Sequence, residues 1–271
     1  MLLTKHKTMD ESRWALDSHF LPPGLNLGTL LEMPRAEMLN VLKNSSRGEA
    51  ATGEEVAPID FYQEVWAAGV TYLRSRDARK EESIVADMYQ KVYEAERPEI
   101  FFKSIGWRVS GNRVPIRIRK DSRWNVPEPE LVLIINRCKE IVGYCAGNDV
   151  SSRDIEGENP LYLPQAKIYN GSCALGHGIL ICEPDEIKDI PICLRVRRAA
   201  ETIFNGQTST STMKRTLSEL VEFLTRELDF PQGVFLMTGT CLVPGNGFTL
   251  QPDDVVLVQV GELMIENRVR I

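Results

Sequence analysis

The segment Asn125–Asn136 reads NVPEPELVLIIN and joins two carboxylates directly to an apolar run. A short apolar run rich in branched side chains predicts a buried β-strand. Residues two apart in a strand project from the same face, so Glu128 and Glu130 lie side by side. Pro129 between them holds the preceding residue in an extended conformation. The sequence therefore places two like charges together at the start of a strand built for burial.

Two carboxylates this close repel each other and raise one pKa unless a positive charge lies between them, and a divalent cation removes that cost. The alternative is a solvated strand edge, where acidic residues need no partner. Asp149 follows the apolar segment Ile141–Ala146 and is a candidate third oxygen ligand. An Asx-turn or a helix cap explains an aspartate in the stretch NDVSS equally well. Three carboxylates without His or Cys would form an oxygen ligand set suited to Mg²⁺, Mn²⁺ or Ca²⁺.

Composition excludes several classes of function. The chain has only three histidines, so few ligands are available for a Cys/His zinc site. The six cysteines show no C-x-x-C pairing, and we interpret them as reduced thiols in a cytoplasmic protein. A net charge of -6 with interspersed acids and bases argues against a nucleic-acid partner. The sequence shows neither an apolar run long enough to span a bilayer nor the pattern of a signal peptide, so we expect no membrane partner.

The order of the predicted elements indicates a β-rich α+β fold with strands in meander order. Helical periodicity covers Pro34–Leu42, Asp77–Glu96 and Thr216–Glu227, and the rest of the first sixty residues is expected to be helical or irregular. We expect residues 1–60 to form a small N-terminal appendage and residues 61–271 the main domain. The polar stretch Asn44–Glu55 would separate them, although a surface loop within one domain explains it equally well. The predicted strands are EIFFKSIG, RVPIRIRK, ELVLIIN, EIVGYCAGND, GHGILICE, ICLRVRRAAETIFNG, GVFLMTGT and DVVLVQVGEL.

Three segments in register make the chain similar to the fumarylacetoacetate hydrolase superfamily: EPELVLIIN, GYCAGNDVSSRDI and LPQAKIYNGSCALG. Members carry an E-x-E pair that opens a strand, an N-D-x-S-x-R-D segment, and a lysine before a glycine-rich stretch. FNGQTSTSTM, LMTGTCLVPGNG and LQPDDVVLVQVGELMIENRV resemble the closing region of that family. The resemblance covers roughly residues 61 to 271. It implies a mixed β-roll of the type of the C-terminal hydrolase domain, usually as a homodimer, with the site at the open end of the roll.

The resemblance also implies a site for Mg²⁺ or Mn²⁺, with Ca²⁺ an alternative occupant in crystals. Lys167 would lie beside the metal, where its charge could stabilise an enolate. Thr240 would bind the substrate carboxylate, and Gln165 would line the pocket. The metal ligands would be Glu128, Glu130 and Asp149.

The chain departs from the hydrolase members in the segment after Tyr72. Those members carry a histidine there that activates water together with a glutamate, whereas this chain has Ser75 and Arg76. TYLRSRDARKEES instead resembles the branch of dehydratases that act on 2-keto-3-deoxy sugar acids of the pentonate or arabinonate type. The resemblance therefore implies a Mg²⁺-dependent hydro-lyase that removes a C3 proton and the C4 hydroxyl of a small 2-oxo acid through a metal-stabilised enolate.

In this hypothesis Glu81 or Glu82 is the acid or base, and Arg74, Arg76 or Arg79 contacts the sugar acid. The alternative is that RSRDARKEE is an ordinary charged helix start with i,i+4 pairs.

Two other functions remain open at this stage. One is hydrolysis of a C–C bond in an acylpyruvate-type or fumarylacetoacetate-type diketo acid, or the isomerase or decarboxylase chemistry of the same family. The other is a non-catalytic member that binds a metal or a ligand on the same scaffold.

Overall fold

The structure, a computed structural model, describes residues 1–45, 48–73, 86–245 and 247–271. Its β-rich α+β class confirms the predicted fold class. Within the described residues no helix is long and apolar enough to cross a membrane. The helices there are α1 (Leu27–Leu31), α2 (Arg35–Asn44), α3 (Ala86–Glu94), α4 (Arg153–Glu158), α5 (Leu163–Lys167) and α6 (Leu217–Leu224). The strands are β1 (Leu2–Lys7), β2 (Ser12–Leu16), β3 (His19–Phe20), β4 (Glu54–Val56), β5 (Glu64–Gly69), β6 (Glu99–Ile105), β7 (Ile116–Arg117), β8 (Asn125–Val126), β9 (Pro129–Ile135), β10 (Ile141–Asp149), β11 (Ser151–Ser152), β12 (Cys173–Leu175), β13 (Ile179–Ile181), β14 (Pro191–Arg198), β15 (Glu201–Ser209), β16 (Val234–Met237), β17 (Val255–Val260) and β18 (Leu263–Arg270).

The strands form two main sheets that pack on one hydrophobic core. The larger sheet runs β3-β2-β1-β13-β10-β9-β16-β5-β6, with β12 added to β10 and β4 to β1. The smaller sheet runs β15-β14-β17-β18-β7, and β8 and β11 form a separate pair. Most pairs are antiparallel, but β16–β5 and β18–β7 are parallel, so the roll is mixed as the resemblance implies. β9 and β10 pack against β14 and β17 of the other sheet.

The central strands β9 and β10 deliver the acidic residues to one place. Every residue of both strands is buried because each strand is covered on both faces, which explains their nearly continuous apolar sequence. Their antiparallel register sets Glu130 opposite Gly147. One step further along, the Asp149 amide donates to the Glu128 carbonyl oxygen at 2.9 Å. The β9–β10 pairing therefore brings carboxylates that are about twenty residues apart in sequence onto the same sheet edge.

The expectation of a helical or irregular N-terminus is wrong for its first twenty residues. The antiparallel strands β1, β2 and β3 lie there, and β1 continues the large sheet by pairing Leu3 with Ile179 of β13. LLTKHK mixes apolar and charged residues without a clear period, so its strand conformation depends on the partner strand and not on local pattern. The division into residues 1–60 and 61–271 stays a prediction. Trp14 and Leu30 share one hydrophobic cluster with the rest of the chain.

The helix predictions are borne out where the structure describes them. α2 covers the predicted segment with Pro34 as its N-cap. α6 begins after Thr216, whose Oγ1 accepts from the Glu219 amide at 3.2 Å, and ends at Leu224, before the predicted Glu227. α3 covers the later part of the third predicted helix, and residues 77–85 lie outside the described residues. The segment ICLRVRRAAETIFNG is the hairpin β14–β15 and not one strand, because the chain reverses at Ala199 with φ 53°.

Candidate metal centre

The structure brings together the three carboxylates that the sequence singles out. Glu128 immediately precedes β9, Glu130 lies within it, and Asp149 ends β10. One oxygen atom from each lies within 4.8 Å of the others. The three residues are only 1–2% exposed. The interpretation of the E-x-E pair as a solvated strand edge is therefore wrong.

Two of the carboxylates are held by cationic side chains. Lys167, at the end of α5, donates to Glu128 Oε2 and to Asp149 Oδ2, both at 2.9 Å. The Arg153 guanidinium lies 2.9 Å from Glu128 Oε1, and the Lys103 ammonium contacts Asp149 Oδ1. These cations compensate the burial of two negative charges.

Glu130 is neutralised differently. Its Oε2 accepts from the Gly239 amide at 2.6 Å, and no lysine or arginine of the described part of the chain forms an ion pair with it. Burial raises the pKa of Glu130 well above its usual value, and the nearby charges of Asp149 and Glu128 raise it further. The charge of Lys167 and the Gly239 amide act in the opposite direction and lower this pKa.

The donor set fits a hard divalent cation. It consists of carboxylate oxygens alone, which suits Mg²⁺, Mn²⁺ or Ca²⁺ and not zinc or copper. The surrounding lysines and arginine pair with Glu128 and Asp149. A divalent cation among these oxygens would also neutralise the negative charge of Glu130. The three residues would hold the ion, and Lys167 would lie beside it.

A narrow cavity opens beside the carboxylates. A larger groove of about 900 Å³ lies along α6, but the acidic cluster does not line it. We place the site at the smaller cavity because the buried charges converge there. Its lining consists of Ala68, Gly69, Val70, Glu99, Phe101, Glu128, Asp149, Glu156, Lys167, Gly239 and Thr240.

The other predicted site residues divide into three groups. Lys167 and Thr240 line the cavity, and Thr240 directly follows the glycine that donates to Glu130. Gln165 is exposed on α5 and is not among the described residues of the cavity wall, so its role with substrate stays a prediction. Five predicted residues lie outside the described residues: Arg74, Arg76, Arg79, Glu81 and Glu82.

Four charged residues of the site were missed from sequence. Glu99 and Glu156 line the cavity, and Arg153 joins Glu128 to Glu156, whose Oε2 lies 3.1 Å from its Nη1. Lys103 lies behind Asp149 with no exposed surface. Lys103 and Arg153 gave a signal that could have been used, because a charged residue inside an otherwise buried segment requires a partner.

Fold and site together define a metal-dependent enzyme scaffold, in which a β-roll brings three carboxylates together beside a cavity that Glu128, Asp149 and Lys167 line. Residues 64–270 match the family model described as fumarylacetoacetate (FAA) hydrolase C-terminal. The chain belongs to this family, which confirms the resemblance seen in its motifs.

Two relatives and one solved structure are similar to most of the chain or to all of it. The chain is 47% identical over 206 residues to a probable 2-keto-3-deoxyxylonate dehydratase of Haloferax volcanii, covering 75% of this chain and 70% of that protein. It is 41% identical over 213 residues to a 2-dehydro-3-deoxy-D-arabinonate dehydratase of Saccharolobus solfataricus, covering 76% and 70%. A structure of 2-keto-3-deoxy-D-arabinonate dehydratase complexed with magnesium and 2,5-dioxopentanoate superposes with a TM-score of 0.83 at 32% identity, over 100% of this chain and 99% of that one.

Proposed function

We propose that the chain is a Mg²⁺-dependent dehydratase of a 2-keto-3-deoxy pentonic acid. The observation that carries the proposal is the assembled cluster of three buried carboxylates and Lys167, in a chain 47% identical to a protein named as such a dehydratase. The substrate class rests on the names of the relatives, and the magnesium on the donor set and on the ligand-bound structure.

The residues of the cavity suit a 2-oxo acid. A bound divalent cation would polarise the keto group and stabilise negative charge that develops when the C3 proton leaves. Lys167 is held by Glu128, Asp149 and the Ser151 hydroxyl, so its positive charge is fixed beside the cavity. Thr240 offers a hydroxyl for the substrate carboxylate.

Proton transfer requires a group that takes the proton from C3 and gives a proton to the departing C4 hydroxyl, which leaves as water. Glu99 and Glu156 are carboxylates of the described cavity wall. Glu156 is ion-paired with Arg153 at 3.1 Å. The predicted Glu81 and Glu82 remain candidates beside them, and replacing each of the four by Gln identifies the residue whose loss reduces kcat most.

Hydrolysis of a C–C bond is the less favoured function. The family's hydrolase chemistry, as the motif comparison implies it, uses a histidine to activate water. All three histidines of the chain are among the described residues, and none of them lines the cavity. His6 contacts Thr4, and His177 contacts Glu55 at 3.1 Å.

A substrate comparison tests the proposal. The metal-free protein is incubated with 2-keto-3-deoxy-D-xylonate, 2-keto-3-deoxy-D-arabinonate and an acylpyruvate, each with Mg²⁺ or with EDTA. We expect a semialdehyde product from at least one sugar acid with Mg²⁺ and none with EDTA. The proposal would be contradicted if the acylpyruvate were the only substrate turned over, with release of pyruvate. Turnover of a sugar acid that EDTA leaves unchanged would also contradict it.

A cytoplasmic location and a homodimeric assembly belong to the same proposal. The six free cysteines fit a reducing compartment. Sedimentation equilibrium of the purified chain, whose monomer mass is 30.6 kDa, tests the assembly directly.

A further inference from the structure

Lys103 is a buried lysine of β6 that does not reach the cavity. Its side chain has no exposed surface, and the described cavity wall does not include it. Its ammonium group contacts Asp149 Oδ1 and donates to the carbonyl oxygens of Val150 at 3.2 Å and Lys167 at 2.5 Å. The two carbonyl oxygens accept hydrogen bonds from this ammonium group, and Asp149 Oδ1 is its ion-pair partner. Lys103 is therefore fixed in one place.

The three acceptors belong to two elements of the metal centre. Asp149 and Val150 mark the end of β10, and Lys167 ends α5. Lys103 thus ties β6 to the strand that supplies a carboxylate and to the helix that supplies the lysine of the cavity. Because Lys167 donates to Asp149 Oδ2, the two oxygens of this carboxylate are held by two different ammonium groups.

Lys103 also affects the charge of the centre. Three buried carboxylates lie beside three cationic side chains: Lys103, Arg153 and Lys167. The positive charge of Lys103 beside the Asp149 carboxylate stabilises the acidic cluster when no metal is bound. The same charge repels a divalent cation that binds to the cluster. Lys103 therefore holds the ligands of the centre in position and at the same time lowers their affinity for the metal.

We propose that Lys103 is a positioning residue that keeps Asp149 and Lys167 in place before the metal binds, at the expense of metal affinity. The inference rests on the proposed Mg²⁺ function of the site. It predicts an uncommon combination, in which loss of Lys103 strengthens Mg²⁺ binding and weakens turnover. Damage to the fold alone would weaken both.

The test compares the natural protein with Lys103→Met, which keeps the length of the side chain and removes its charge. Mg²⁺ is titrated calorimetrically into both metal-free proteins at pH 8. We expect the Kd of the variant to be at least about tenfold lower than that of the natural protein. With a 2-keto-3-deoxy pentonate at saturating Mg²⁺, kcat is expected to fall by at least about tenfold, because small displacements at a reacting centre are costly. Equal or weaker Mg²⁺ binding by the variant overturns the inference.

Two further measurements separate the outcomes. Leu220→Ala, a truncation in α6 away from the site, should lower the melting temperature and leave Mg²⁺ affinity unchanged. If metal-free Lys103→Met is unfolded, Mg²⁺ should refold it, as followed by circular dichroism, and failure to refold counts against Lys103 in this role. A natural protein that binds no Mg²⁺ overturns the proposed function itself, whereas one that binds Mg²⁺ while the variant binds it no more tightly overturns only the role of Lys103.

Discussion

Glu130 differs from the other two carboxylates of the metal centre in what neutralises it. Glu128 and Asp149 each contact two cationic side chains, whereas the hydrogen bond to Glu130 comes from a backbone amide. A buried carboxylate in this position stabilises a bound cation and destabilises the fold when the cation is absent. The contribution of Glu130 to the stability of the fold is therefore favourable with a bound metal and unfavourable without it.

Replacing Glu130 by Gln keeps the shape and an oxygen for the Gly239 amide but removes the charge. Mutation of residues that only support a metal ligand already costs 10–100-fold in affinity or activity, so we expect Mg²⁺ affinity and kcat/KM to fall by at least about 100-fold. The metal-free variant should melt at a higher temperature than the metal-free natural protein, because a crowded buried charge is gone. Calorimetry and thermal unfolding in EDTA measure both effects.

The matched control is Glu266→Gln. Glu266 pairs with Arg197 at 3.1 Å on the surface, and both side chains are more than 40% exposed. Such pairs contribute little, so stability should change by less than about 0.5 kcal/mol and activity should stay the same. Unchanged Mg²⁺ affinity in Glu130→Gln would rule this residue out as a ligand.

At the scale of the element, helix α2 is capped by a residue from a distant turn. Its N-cap, Pro34, offers no side-chain acceptor. Glu140, in the turn between β9 and β10, accepts instead from the Arg35 amide at 2.7 Å and from Asn136 Nδ2 at 2.7 Å. The side-chain hydrogen bond from Asn136 lowers the pKa of Glu140, and the Arg35 amide lowers it further. An ionised Glu140 thus joins α2 to the central hairpin.

The lowered pKa predicts a pH-dependent stability. A carboxyl whose pKa is lower in the folded state stabilises the fold above its unfolded pKa of about 4.3, and this contribution is lost as the pH falls through the folded pKa. Glu140→Gln should therefore be less stable than the natural protein at pH 7, and the difference should shrink as the pH falls below about 4. Urea unfolding at several pH values measures this difference. Asp10→Asn, in an exposed turn, is the control, and a difference that does not change with pH would contradict the assignment.

At the scale of the whole molecule, the N-terminal strands belong to the large sheet. β1 pairs with β13, and Leu3, Trp14 and Phe20 are at most 3% exposed. Burial of each such side chain contributes about 1.5–3 kcal/mol, and a whole domain has only about 5–15 kcal/mol of stability. Residues 1–20 therefore carry a large share of the total.

Deletion of residues 1–20 tests whether the N-terminal segment is an independent appendage. The deletion removes β1, β2 and β3 and leaves the edge of β13 unpaired, so we expect a chain that is unfolded or severely destabilised at 25 °C. Circular dichroism and urea unfolding report the outcome, and deletion of the half-exposed Ile271 alone is the control. An unchanged unfolding midpoint would show that the segment folds independently of the main domain.

The sequence indicated the centre of the site better than its surroundings. The E-x-E pair and Asp149 could be found because a strand has a period of two and because burial of like charges requires a cation. The roles of Lys167 and Thr240 came from the motif resemblance, and both residues line the cavity. The acid or base could not be chosen from sequence, since several carboxylates near the cavity are equivalent in local pattern.

The sequence by itself determined the β-rich fold class, the central strands and the chemical type of the metal ligands, because these depend on local periodicity and on the presence or absence of residue types. Only the tertiary structure decided that Lys103 lies behind Asp149, that Glu140 caps α2, and that β1 extends the large sheet. Each of these contacts joins residues between 46 and 178 positions apart. No local pattern encodes such a pairing, because its free energy depends on which strands the whole chain brings together.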